Sequence, residues 1–226
     1  PLWNRALMST YEPGSTMKPA IAAAGLEEGV ITETSKFYCS HIYRQFTDTT
    51  FKCLGSHGWI DVKNALNQSC NIYFYETGRL LGINRMNDYC TRFGLGQKTG
   101  VEINESSGVL AGIAYREAHG GTWYPGDTVQ AAIGQSDNLF TPIQLCSYVS
   151  TIANGGTRYR AHFVKSVKSS DYSETLLSND GVVLNETGVS QNSIRIVKEG
   201  MEMLGARLPA FKSLPVKVAA ETGPAE

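Results

Sequence analysis

The chain lacks any apolar run approaching the ~20 residues that a membrane-spanning helix needs, and it carries no signal-peptide pattern. It lacks a charge excess: 20 basic and 21 acidic residues give a formal net charge of -1. That balance excludes the broad positive field by which proteins hold nucleic acid or an anionic membrane. Internal repeats and low-complexity tracts are absent as well. None of the five cysteines (Cys39, Cys53, Cys70, Cys90 and Cys146) forms a C-x-x-C pair, and no histidine stands at zinc-finger spacing from them. The four histidines, His41, His57, His119 and His162, are scattered. These spacings predict no structural metal, and nothing in the pattern asks for a cofactor. Buried free thiols are the expected state of the cysteines, with a Cys39–Cys53 disulfide the one bridge worth testing. An initiator methionine is missing too: the chain starts at Pro1 and reads as a fragment, so that any anchor or export signal is expected upstream.

What is present is a globular composition. The 226 residues are 42% hydrophobic, enough for a sizeable core in one domain or two. Residues 15–29 read as a helix. Pro19 falls in its first turn, where the missing N–H has no intrahelical partner to lose, and Ala22-Ala23-Ala24 suits close packing. Residues 30–58 read as irregular, with a turn at 55–58. Asp61 is placed to cap a short helix carrying Val62, Ala65 and Leu66 on one face. Helices are expected at 70–81 and 84–93, each ended by glycine, and 94–137 reads as Gly-rich loops with short strands. Thr141 as N-cap and Pro142 at the first helical position open the clearest helix, with Ile143, Cys146, Val149 and Ile152 at helical spacing. Strands are expected at 161–167, 182–184 and 216–220. A helix at 192–204 shows Ile194, Val197, Met201 and Leu204 on one side. The sum is a mixed α and β chain, helix-heavy in its first two-thirds.

Ser15-Thr16-Met17-Lys18 is an S-x-x-K sequence at a helix start. A spacing of three puts both side chains on one face, within reach for Lys18 to take the Ser15 proton. The helix N-terminus adds free N–H groups and a positive dipole end that suit a developing oxyanion. Alone the pattern is weak, because about one S-x-x-K arises by chance in a chain this long at ordinary residue usage. The flanks make it specific. Tyr11-Glu12-Pro13-Gly14-Ser15-Thr16-Met17-Lys18-Pro19 closely resembles the active-site signature of penicillin-binding proteins. The family's second motif, S-x-N, is matched in order by Ser69-Cys70-Asn71. Further family-like stretches are Phe93-Gly94-Leu95-Gly96, Trp123-Tyr124-Pro125-Gly126-Asp127, Ala132-Ile133-Gly134-Gln135-Ser136 and Thr141-Pro142-Ile143-Gln144-Leu145. The likeness is to the class B serine transpeptidases related to those of rod shape and division, and is weakest over 157–215.

The resemblance implies an α/β (α+β) transpeptidase fold shared with β-lactamases, with residues 1–226 forming the helical region and part of an antiparallel sheet. Two strands before the S-x-x-K helix and two after the third motif are expected to be missing, which predicts an unstable or aggregation-prone isolated chain. It implies Ser15 as nucleophile, Lys18 as base, Ser69 as proton relay and Asn71 as holder of Lys18 and the substrate amide. It also implies peptidoglycan stem peptides and β-lactams as the molecules bound, a membrane glycosyltransferase as partner, and a place on the outer face of the bacterial cytoplasmic membrane.

The third motif, Lys-Thr/Ser-Gly in the family, is where the chain departs. A literal Lys98-Thr99-Gly100 lies only 27 residues after Asn71 and reads as a decoy. The matching place is Glu221-Thr222-Gly223-Pro224, with Thr222 and Gly223 as substrate-binding residues. There Glu221 puts an anion where the family has a cation, and Pro224 removes the backbone N–H expected of an oxyanion donor. Three readings stand open: a sequence artefact at the end of a fragment, a decayed relative serving as a scaffold of the wall-synthesis complex, or substitution by Lys98. A β-lactamase or β-lactam sensor is a further alternative. Against it, the glutamate-bearing loop of class A β-lactamases is not recognisable and the S-x-N motif departs from class D.

Overall fold

The structure, a computed structural model, describes residues 3–223. Its helices are α1 (Arg5–Met8), α2 (Lys18–Glu27), α3 (Val62–Asn67), α4 (Asn71–Leu81), α5 (Ile83–Arg92), α6 (Ile113–Ala118), α7 (Pro125–Ala132), α8 (Pro142–Ala153) and α9 (Gln191–Arg207). A 3-10 turn, Gly14–Met17, leads straight into α2. The strands are β1 (Phe37–Cys39), β2 (Ile42–Tyr43), β3 (Phe51–Lys52), β4 (Gly58–Ile60), β5 (Thr157–Tyr159), β6 (Ser166–Lys168), β7 (Thr175–Ser178) and β8 (Val183–Glu186).

Helix α2 sits at the centre because, between its terminal Lys18 and Glu27, nothing on its surface demands water. Ala20, Ile21, Ala22, Ala23 and Ala24 are all at 0% exposure, the signature of a helix enclosed on every side. It packs against α4, α5 and α9. The alanines and Gly25 permit close approach: a Cβ on Gly25 would stand 2.7 Å from Thr77 Cγ2 of α4. The same logic joins α4 to α7, where a Cβ on Gly78 would meet the Ala132 Cβ at 2.4 Å. Burying this helix cluster, with Tyr73, Phe74, Phe93 and Tyr148, supplies the main hydrophobic driving force.

Local signals set the helix ends as expected. Asp61 accepts from Asn64 N and caps α3, whose buried face is Val62, Ala65 and Leu66. Thr141 caps α8 in a reciprocal capping box with Gln144. Helix α9 buries Ile194, Val197, Met201 and Leu204.

Several expectations are corrected. Residues 30–58 are not irregular: β1 pairs antiparallel with β4, and β2 with β3. Their two- and three-residue length is too short for alternation to register in sequence. The stretch 94–137 holds α6 and α7 rather than strands. The expected strand at 161–167 is mostly irregular, lying between the end of β5 at Tyr159 and the start of β6 at Ser166, while β7 was not foreseen. On α8 the buried side chains are Gln144, Tyr148, Thr151 and Ile152, whereas Cys146 and Val149 face outward. The polar residues turn inward because they have partners there; Tyr148 Oη, for instance, accepts Ala20 N at 2.9 Å. Residues 216–220 form no strand, since a ladder needs a neighbour and none lies alongside among the described residues. This segment runs along α9 instead, with Ala220 N donating to Met201 O at 3.0 Å. Among the described residues the strands form four separate two-stranded ladders, not one sheet.

Candidate active site

The turn that carries Ser15 is held from beneath by glycine. Gly14 takes φ +53°, a left-handed value that suits a residue without Cβ, and its N donates to Gly134 O at 3.0 Å. Tyr11 and Phe140 exchange backbone hydrogen bonds at 2.9 Å on the other flank. Thus Gly134, 120 residues along the chain from Gly14, and Phe140, 129 residues from Tyr11, fix the loop that presents the serine. Gly134 itself has φ +77°, and a Cβ there would come within 2.1 Å of Gly14 O. Gly134→Ala is therefore expected to lower stability by about 2–4 kcal/mol, through left-handed strain and backbone displacement, read as a lower urea midpoint.

Ser15 is 9% exposed, and Lys18, at the start of α2, is 0% exposed. The Lys18 ammonium donates to three oxygens of the second motif: Ser69 O at 2.8 Å, Ser69 Oγ at 2.9 Å and Asn71 Oδ1 at 2.7 Å. An ammonium has three protons, so this grip orients the amine completely. The corner that offers those oxygens is itself unusual. Ser69 has φ +48°, sparsely populated for a residue with a side chain, and its carbonyl is thereby turned toward Lys18. The first two motifs meet here across 51 residues of sequence, as the expected site requires.

The third motif lies against the same turn. A Cβ on Gly223 would stand 2.6 Å from Thr16 Cγ2 and 2.7 Å from Pro13 O, so Gly223 abuts the serine loop. Thr222 N donates to Oε1 of Glu221 at 3.1 Å. Glu221 lies near Lys18 and Ser69, with Oε2 buried and lacking a hydrogen-bond partner. Burial pushes its carboxyl up to about 7, against the pull of Lys18, of Thr222 N–H and of the Ser69 hydroxyl. Pro224 lies outside the described residues. At the decoy, Thr99 N, Thr99 Oγ1 and Gly100 N all donate to the Glu105 carboxylate, at 3.0, 2.8 and 2.7 Å. Those donors are already engaged, so they are not available to an oxyanion.

One cluster was missed by the sequence. Cys39, Cys53, His57 and Cys70 bring three sulfurs and an imidazole nitrogen within 4.8 Å of one another. The sequence reading, with its scattered histidines, did not foresee this grouping. It escaped notice because the donors come from three separate stretches, 39, 53–57 and 70, at spacings no zinc-finger pattern contains; what the sequence did offer was three of five cysteines within residues 39–70. The Cys39–Cys53 disulfide is not formed, and all five cysteines are free thiols. Cys53 Sγ and Cys70 Sγ lie 3.9 Å apart, and the hydrogen bond they share holds the Cys53 thiol down to about 4 and pushes that of Cys70 up.

Residues 1–226 match the family described as the penicillin binding protein transpeptidase domain. The chain is 29% identical over 243 aligned residues to the peptidoglycan D,D-transpeptidase MrdA of Acinetobacter baumannii, covering 100% of this chain and 34% of that protein. It resembles the crystal structure of Pseudomonas aeruginosa PBP2 in complex with WCK 5153 with TM-score 0.87 and 29% identity, covering 99% of this chain and 52% of that one. The imipenem acyl-enzyme complex of penicillin-binding protein A from M. tuberculosis aligns with TM-score 0.85 and 25% identity, covering 100% and 50%. The chain thus spans about a third of the length of the curated relative and about half of each solved chain. The likeness bears out the expected mixed α and β transpeptidase fold. Among the described residues, no helix is long and apolar enough to cross a membrane.

Proposed function

We propose, from the premise that this chain belongs to the penicillin binding protein transpeptidase domain family, that it carries the acyl-transfer centre of a peptidoglycan DD-transpeptidase. Ser15 Oγ attacks the carbonyl of the penultimate D-Ala of a stem peptide, and its proton passes to a neutral Lys18. The tetrahedral intermediate collapses to a Ser15 ester as the proton moves through Ser69 to the leaving D-Ala amine. The amine of a neighbouring stem peptide then displaces Ser15 and forms the cross-link. A β-lactam enters by the same attack, its ring amide opening to give a stable ester. Asn71 holds Lys18 and the substrate amide, while Thr222 and Gly223 border the substrate on the side of the serine loop.

The observation that carries this reading is the Lys18 amine gripped at 2.7–2.9 Å by Ser69 and Asn71, one turn along from Ser15. The MrdA relative and the imipenem acyl-enzyme add support in kind. We infer that the protein works on the outer face of the bacterial cytoplasmic membrane, beside a glycosyltransferase. Fluorescent penicillin incubated with the protein is expected to leave an adduct on the tryptic peptide holding Ser15, and Ser15→Ala is expected to abolish it. An adduct on another residue, or labelling that survives Ser15→Ala, would overturn the assignment. A second reading, an impaired relative kept as a scaffold, is favoured by one observation: the Glu221 carboxyl buried near Lys18.

A further inference from the structure

The reaction proposed above fixes where a charge on the acyl donor must fall. The bond that breaks joins the penultimate D-Ala carbonyl to the amine of the last D-Ala, and Ser69 passes the proton to that amine. The free carboxylate of the last D-Ala hangs on the carbon that bears this amine, so its oxygens lie within about 4 Å of the nitrogen. A donor seated between Ser15 and Ser69 therefore brings a full negative charge to the wall beside Ser69.

Glu221 stands at that wall, and the segment that carries it is pinned at both ends. Ala220 N donates to Met201 O at 3.0 Å, and a Cβ on Gly205 would come within 1.8 Å of Val218 O, so 218–220 is pressed onto the last turns of α9. On the other side Gly223 abuts Thr16 and Pro13 of the serine loop. Between these anchors the Glu221 side chain turns inward. Thr222 N donates to Oε1 at 3.1 Å, while Oε2 is buried with no hydrogen-bond partner. The cations in its field are Lys18 of α2 and Arg207, the last residue of α9; the Tyr148 hydroxyl of α8 is a further titratable group there.

A buried acceptor without a donor calls for a hydrogen on the ligand, and a buried anion repels a second anion. A free carboxylate on the donor meets both penalties. A terminal amide meets neither, because its NH2 supplies the donor that Oε2 lacks and carries no charge. The orphaned oxygen and the excluded carboxylate are two sides of one requirement.

We propose that Glu221 sets the substrate class of this site: acyl donors whose leaving residue ends in an uncharged hydrogen-bond donor, as in an amidated terminal D-Ala, are chosen over those ending in a free carboxylate. This selection rests on the acyl-transfer reading above. In the selected step Ser15 Oγ bonds to the penultimate carbonyl carbon and the C–N bond breaks. The Ser15 proton then departs on the amine of D-alaninamide instead of D-alanine. The carboxylate of a penicillin meets the same wall, which slows its attack without changing the residue acylated.

Two donors that differ only at this point provide the test: an N-acyl-D-Ala-D-Ala and its C-terminal amide, offered to the full chain. Mass spectrometry reads the Ser15 adduct, and chromatography reads the leaving residue. At pH 8 kcat/KM is expected to favour the amide about 30-fold or more, the scale of two like charges several Å apart at an effective dielectric of 20. Any effect of Glu221 on the Lys18 proton enters both rates and cancels in this ratio. At pH 5.5, below the Glu221 value of about 7, the preference should shrink to about threefold or less. Glu221→Gln should show the same small ratio at pH 8, and Glu221→Lys should reverse it. The pH series on the unmodified protein decides the matter where a variant does not fold. Calorimetric binding of both donors to Ser15→Ala protein reads the preference without chemistry. A free acid taken as readily as the amide at pH 8, or a preference that survives Glu221→Gln, overturns the proposal, and so does equal binding of the two donors to Ser15→Ala protein. Tighter binding of the amide, with no adduct on Ser15 of the unmodified protein, upholds the selection and counts instead against acyl transfer.

Discussion

Lys18→Met is expected to slow acylation of Ser15 by β-lactam about 10²–10⁴-fold, the usual contribution of a positioned general base. The same change should destabilise the fold by a few kcal/mol, because Ser69 O, Ser69 Oγ and Asn71 Oδ1 all lose their donor at a site with no exposure. The two effects are separable. Lys18→Arg keeps a cation and several donors, so part of the stability should return. A guanidinium does not surrender its proton at accessible pH, so the rate should stay low. Stopped-flow acylation and a denaturant titration on the two variants give both readouts. If Lys18→Arg recovers the rate along with the stability, Lys18 is a clamp for the second motif and not a base.

Glu221→Gln should accelerate acylation at pH 8 by about 30–1000-fold. Above its pKa of about 7, the Glu221 carboxylate is an anion beside Lys18, and it favours the ammonium over the neutral amine that must receive the Ser15 proton. A charge pair separated by several Å at an effective dielectric of 20 is worth roughly 2–4 kcal/mol, which sets the scale of the gain. At pH 5.5 the carboxyl is already neutral and the two proteins should differ little.

Stability follows the same titration. The carboxyl's ordinary value is 4.5 and its folded value about 7, so between these the native state holds a proton that the unfolded chain has released. Stability from this group is full below about 4.5 and is lost as pH rises toward 7. Glu221→Gln removes the loss, so its advantage in thermal midpoint should grow from pH 4.5 to 7 and level off beyond. A gain equal at pH 5 and pH 8 would show that the carboxyl is not titrating in this window.

Much of this site could be read from residues one turn apart. Ser15 and Lys18 share a helix start, Asp61 and Thr141 name the helices they cap, and the order of S-x-x-K before S-x-N gave the family. The helix ends were legible because capping is local: a side chain bonds the backbone two or three residues away. The face of α8 was misread because Tyr148 turns inward to bond Ala20 across the core, a fact about the neighbour and not about spacing. The short ladders β1–β4 and β2–β3 escaped because two or three residues are too few to show a period.

The sequence by itself settled which chemistry is available: a hydroxyl, an amine and a helix N-terminus within one turn, with an anion where the family has a cation. Only the tertiary structure decided who holds whom. It closed Lys18 on residues 51 and 53 positions away, set Gly134 under Gly14, laid Gly223 on the serine loop, and gathered three cysteines and a histidine from three segments. The physical reason is that covalent spacing fixes only neighbours within a turn or two. Contacts between distant segments are selected by the burial of α2 and its partners, which brings along whatever polar groups those segments carry.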